Sequence, residues 1–209
     1  MTPALKPAYW DEACAALGSA DPVMGGIIAQ CGPVHLLSRG DPFQTLARSI
    51  VGQQISVKAA QSVWDRFAAA AREVRPERVA RMRESTLRAA GLSTRKAEYL
   101  QDLARRFLSG EVDPARWPDR PDEEVIAELV QVRGIGRWTA EMFLIFNLLR
   151  PDVYPLDDLG LLKAISIHYN DGRPVTKAEA SELGERWRPW RTLATWYLWR
   201  SLDPLPVDY

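Results

Sequence analysis

Along most of the chain apolar residues recur every three or four positions, the period of a helix with one buried face. Phe43, Leu46, Ala47, Ile50 and Val51 follow it, as do Val57, Ala60, Trp64 and Phe67 after an interruption at Gly52. This predicts two helices or one bent helix. Short helices are expected at 76–83 and 84–90, with Gly91 as a stop and Ser93 as the N-cap of a helix carrying Leu100, Leu103, Ala104 and Phe107. Pro114, Pro118 and Pro121 mark a loop, and Asp122 is expected to cap the helix that follows it. Further helices fit 157–166, 176–187 and 190–201. No stretch keeps the two-residue alternation of a strand for long, so the predicted fold class is all-α, with neither repeats nor low-complexity segments.

One stretch is more specific than this periodicity. In QVRGIGRWTAEMFLI (131–145) a Gly-Ile-Gly turn separates an apolar face at Val125, Leu129 and Val132 from one at Ala140, Phe143, Leu144 and Leu148. The unit reads helix, hairpin, helix. Two glycines let the chain turn sharply and present bare N–H groups, and the helix starting near Arg137 adds its positive end, so the turn can grip a phosphate. The same residues also serve a purely structural connection between packed helices.

Hydrophobic residues at 46% and charged residues at 26% describe an ordinary globular chain. Lys plus Arg and Asp plus Glu both total 27, so net charge gives no support to nucleic-acid binding. Such binding would need a local basic surface, for which Arg88, Arg95, Lys96, Arg105, Arg106, Arg133, Arg137 and Arg150 are candidates. Cys14 and Cys31 are too few for a disulfide scaffold or an iron–sulfur cluster, and His35 and His168 lack partners at ligand spacing, so no metal is expected. The N-terminus has no apolar signal region, and nowhere is there an uncharged apolar run of the roughly 18 residues that a membrane helix needs. A cytoplasmic protein with no membrane partner is the expectation.

Leu129, Gly134, Ile135, Gly136, Thr139 and Ala140 match in register the pattern Leu-x-x-x-x-Gly-[Ile/Val]-Gly-x-x-[Ser/Thr]-Ala, and Asp158 follows 20 residues after Trp138 (158 minus 138). In this the chain resembles the helix-hairpin-helix (HhH-GPD) DNA glycosylase superfamily. The segments SIVGQQISVKAA (49–60), GLSTRKAEYL (91–100), YPLDDLGLLKA (154–164) and WRPWRTLATWYLW (187–199) are most similar to the 3-methyladenine DNA glycosylase II, or AlkA, type. The resemblance runs from about 41 to 202. It implies one glycosylase unit over 1–209, with a helical subdomain at 42–150 carrying the hairpin, a second built from 1–41 plus 151–209, and an active-site cleft between them. It implies a compact member, the leading 40 residues or so being too few for the β-sheet subdomain of many bacterial relatives.

The implied activity is flipping of an alkylated purine out of duplex DNA and hydrolysis of its glycosidic bond, by a monomer associated with the nucleoid. Departure of the base builds positive charge on the sugar, which a fixed carboxylate stabilises while orienting water. Asp157 and Asp158 compete for this role, and either could be a helix N-cap instead. The resemblance favours Asp158, leaving Asp157 as cap or secondary carboxylate. Trp138 stands where strand-nicking members carry a Schiff-base lysine, implying a monofunctional hydrolase.

Trp138 and Trp199 match base-pocket tryptophans that stack an electron-poor base, core packing being the alternative. Met142 and Leu159 replace tyrosines of a well-known bacterial member, putting the base range in doubt. Gln54 falls at the wedge position, with Gln53 as its neighbouring alternative, and a polar helix end as the plainer reading of both. Phosphate contacts are implied for Gly134, Gly136, Arg137 and Thr139, with Lys96 as a side-chain contact or simply an exposed lysine. No cofactor is implied, although hairpin carbonyls could hold a structural monovalent cation. Two other readings stay open: a glycosylase for deaminated or mismatched bases, and a non-catalytic DNA-binding module.

Overall fold

The computed structural model describes residues 6–203, and every regular element among them is helical. The helices are α1 (Trp10–Ala20), α2 (Pro22–Cys31), α3 (Pro42–Gly52), α4 (Val57–Ala71), α5 (Pro76–Val79) and α6 (Glu84–Ala89). They continue as α7 (Thr94–Ser109), α8 (Asp122–Leu129), α9 (Arg137–Phe146), α10 (Leu159–Tyr169), α11 (Lys177–Glu185) and α12 (Arg191–Leu202). None is long and apolar enough to cross a membrane. The all-α expectation is met, and the predicted core residues Phe43, Leu46, Ala47, Ile50 and Val51 are all buried on α3.

Several local expectations fail for identifiable reasons. Val57, expected on an apolar face, is 58% exposed, because it is the first residue of α4 and the buried face begins only with Trp64. Asp122 is the first residue of α8 rather than its cap, a place taken by Pro121. Asp122, Glu123 and Glu124 instead set negative charge on the helix's positive end. The two N-terminal helices, α1 and α2, lie where the apolar spacing predicts no helix.

The chain divides into two compact units. Among the described residues one comprises 6–38 and 144–203, and the other is Arg39–Phe143. The division runs through α9, not after residue 150. The segment following Phe143 is tied to the first unit, where the Tyr9 hydroxyl donates to the Leu149 carbonyl and the Ser38 hydroxyl to that of Asn147.

In the first unit α12 packs on α1, α2 and α10, burying Leu193, Ala194, Tyr197 and Leu198. Its polar anchor is Asp21, 4% exposed, which caps α2 by accepting from the Val23 and Met24 amides and also accepts from the Tyr169 hydroxyl and the Trp187 indole. Burial alone would push this carboxyl up, but the four donors outweigh it and hold the group below its ordinary range. In the second unit α7 packs against α3, α5 and α6, burying Ala97, Leu100, Leu103 and Ala104. The Ser93 hydroxyl accepts from the Lys96 amide, capping α7 as the sequence predicts.

Asp21→Ala would strand two side-chain and two backbone donors. We expect a loss of about 3 kcal/mol and a fall in melting temperature of roughly 6–12 °C near neutral pH. Because the folded carboxyl is shifted down, the stabilisation is complete above the ordinary Asp value and fades as pH falls through the folded value. Thermal melts across that range should show the gap between wild type and variant narrowing in acid.

Candidate functional site

The predicted hairpin is present in the second unit, between α8 and α9. Ile135 is its buried pivot, 4% exposed, and donates its N–H to the Val132 carbonyl at 3.0 Å. Gly134 has φ +84°, and a Cβ there would lie 2.2 Å from the Tyr99 ring, so both backbone sign and space demand glycine. Gly136 is exposed, with nothing within 4 Å of an added Cβ. Among the described residues neither glycine's N–H donates to another protein group. Two bare amides beside the first turn of α9 make an anion-accepting surface. Thr139 is half-buried one turn further on, and Trp138 is 38% exposed, so the core-packing alternative does not hold for it. The core tryptophans are Trp10, Trp64, Trp117 and Trp187.

The two glutamines separate. Gln53 closes the C-terminus of α3 and its side-chain amide donates to the Gly134 carbonyl at 2.7 Å, so it braces the hairpin and is not available as a wedge. Gln54, between α3 and α4, is exposed with a left-handed backbone, φ +58°.

Two side-chain phosphate contacts need correction. Lys96 is neither a surface lysine nor a free cation, since its ammonium donates to the Val51 and Gln53 carbonyls, each at 2.8 Å. Burial pushes this amine down. The Arg137 guanidinium grips Glu123 through two nitrogens and Glu141 through a third, and those carboxylates raise its pKa. What Arg137 offers an anion is its place at the start of α9. The expected basic surface thins likewise, because Arg106 pairs with Asp102 and Glu111.

In the first unit the aspartates separate as well. Asp158, not Asp157, is the N-cap of α10, its Oδ1 accepting from the Leu161 amide at 2.7 Å. The same oxygen accepts from the Trp199 indole N–H at 2.8 Å. Cap and candidate acid are therefore one residue. Asp157 is exposed and ion-paired with Lys177, which removes it as the cap.

Trp199 is half-buried and stacks on Phe146, with centroids 5.9 Å apart and planes 13° from parallel. Gly160 makes room for this arrangement, since a Cβ there would stand 3.1 Å from Asp158 Oδ1 and 3.4 Å from the indole. Leu159 is 81% exposed and Met142 is half-buried on α9. Phe146, Tyr99 and Asp102 escaped sequence reasoning. The one available hint was spacing, as Tyr99 and Asp102 stand three and six residues after Lys96.

Residues 47–189 match the HhH-GPD superfamily of base excision DNA repair proteins, and the chain belongs to that family. It is 35% identical over 81% of its length to DNA-3-methyladenine glycosylase 1 of Schizosaccharomyces pombe. It spans 76% of that protein, and 59% and 65% of two Bacillus subtilis relatives. The crystal structure of a DNA-3-methyladenine glycosidase from Bacillus halodurans superposes with a TM-score of 0.85 at 34% identity, covering 91% of this chain and 89% of that one. The S. pombe enzyme in complex with abasic DNA gives 0.80 at 32% identity, covering 95% and 98%.

The contrast between the two hairpin glycines is testable by melting. Gly134→Ala must displace the Tyr99 ring and strain the backbone, so we expect a cost of about 2 kcal/mol or more. Gly136→Ala should leave the melting temperature within a degree or two, about the scatter of a surface change. Equal behaviour of the two variants would contradict this hairpin geometry.

Proposed function

We propose that this protein is a monofunctional DNA N-glycosylase that extrudes alkylated purines of the 3-methyladenine type from duplex DNA and releases them by hydrolysis. The observation that carries the reading is the Asp158 carboxylate, held through one oxygen by the α10 N-terminus and the Trp199 indole. Fixed this way, it opposes the positive charge that develops on the sugar as the base departs, and it orients or deprotonates the attacking water. Trp138 has no amine, so the protein forms no Schiff base and leaves the strand intact.

Trp199 in the first unit and the exposed Trp138 in the second each provide an electron-rich face on which a cationic or electron-poor purine stacks better than a normal one. Gln54 enters the space that the flipped nucleotide leaves. The Gly134 and Gly136 amides with the start of α9 hold a phosphate, which carries no sequence information. Recognition is thus by stacking and ease of extrusion. The chemistry requires no metal. The Gly134 carbonyl already accepts from Gln53, leaving neighbouring hairpin carbonyls for a structural monovalent cation. We assign the protein to the cytoplasm, acting on DNA as a monomer.

Incubation with methylated duplex in metal-free buffer, with released bases identified by chromatography, should yield 3-methyladenine and no borohydride-trapped adduct. Release of uracil or an oxidised purine instead would move the protein to another glycosylase class, and binding without release would make it a DNA-binding module. Trp199→Phe keeps the ring but deletes the N–H, so the rate constant for release should fall about ten- to a hundredfold with little change in KM. An unchanged rate constant would remove the indole from the account.

A further inference from the structure

A row of side chains at i, i+3 and i+6 on α7 reaches two separate loops of the same unit. Lys96 donates to the Val51 and Gln53 carbonyls at the end of α3, next to the exposed Gln54. The Tyr99 ring lies over Gly134, so closely that no Cβ fits between them. Asp102 Oδ2 accepts from the Arg133 amide at 3.0 Å and from Arg106 Nε at 3.1 Å. The Gln53 side chain completes the circuit by donating to the Gly134 carbonyl. Side chains three apart on a helix form a continuous ridge, so spacing along α7 is converted into spacing between the two loops.

We propose that Lys96, Tyr99 and Asp102 are positioning residues that lock the turn at 53–56 to the hairpin at 133–136, so that insertion into the base stack and grip on the phosphate occur as one event. This rests on the reading of Gln54 as the inserted residue. None of the three needs to touch DNA. Lys96 caps the orphan carbonyls ending α3, which an apolar side chain of similar length cannot do. Burial lowers its proton affinity, consistent with an amine held inside the unit rather than offered to solvent. Asp102 joins the hairpin backbone to α7, with Arg106 anchoring the carboxylate one turn on. A duplex sets a fixed spacing between phosphates and base steps, so a loose register makes insertion and grip compete.

The test compares wild type, Lys96→Met and Asp102→Ala on a duplex with one alkylated purine, either paired or placed in a bulge where extrusion is easier. A 2-aminopurine beside it reports extrusion independently of base release. Each variant should lose roughly tenfold or more in single-turnover release from the paired substrate, together with the fluorescence change, and much less from the bulge. Equal losses on both substrates, or no loss on either, would overturn the proposal. Should Lys96→Met not fold, Asp102→Ala decides; failure of both to fold would equally overturn it, since the side chains would then hold the fold and not the register. If wild type releases nothing from either substrate, the glycosylase reading fails, while the fluorescence of wild type against the variants still judges the coupling.

Discussion

The carboxylate of Asp158 is held by two N–H donors converging on one oxygen, and the candidate chemistry depends on that clamp. The Leu161 amide belongs to the open N-terminus of α10, where orphan donors and the helix dipole favour negative charge. The Trp199 indole comes from α12, 41 residues away, and is braced by its stack on Phe146. A side chain gripped by main chain on one side and a packed ring on the other has little rotamer freedom left. It presents its charge in a fixed place, as the proposed chemistry requires.

Cap and acid are usually weighed as alternatives, one bland and one functional. At this position they are one arrangement: the amide that a cap satisfies is the same donor that fixes an anion. Gly160 is part of it, because a side chain two residues after the aspartate would crowd both the carboxylate and the indole. The neighbouring Asp157, with the same chemistry, is turned to Lys177 on the surface. In the other unit a similar economy appears. Gln53 and Lys96 look like candidates for touching DNA, but both spend their donors on backbone carbonyls.

The helices were legible wherever a helix had one clear apolar face, as in α3 and α7, and the hairpin was legible because Gly-Ile-Gly leaves few backbone solutions. The register of the superfamily pattern singles out Asp158 and Trp138. What could not be read were contacts between residues distant in sequence. Nothing near Lys96 says that its ammonium ends on α3, and nothing near Arg137 says that Glu123, 14 residues earlier, occupies its guanidinium. Val57 failed because periodicity marks a face but not where along the helix burial begins. Asp122 failed because a proline preceding an acidic run fits either the cap or the first turn.

The central claim is that one particular carboxylate of an adjacent pair performs the chemistry. Single-turnover release of 3-methyladenine from methylated duplex, measured for Asp158→Asn and Asp157→Asn alongside binding to the same DNA, tests it most directly. The account predicts that Asp158→Asn binds nearly as wild type does but releases no base, and that Asp157→Asn stays active. Release by Asp158→Asn at the wild-type rate, or its loss only in Asp157→Asn, would contradict it.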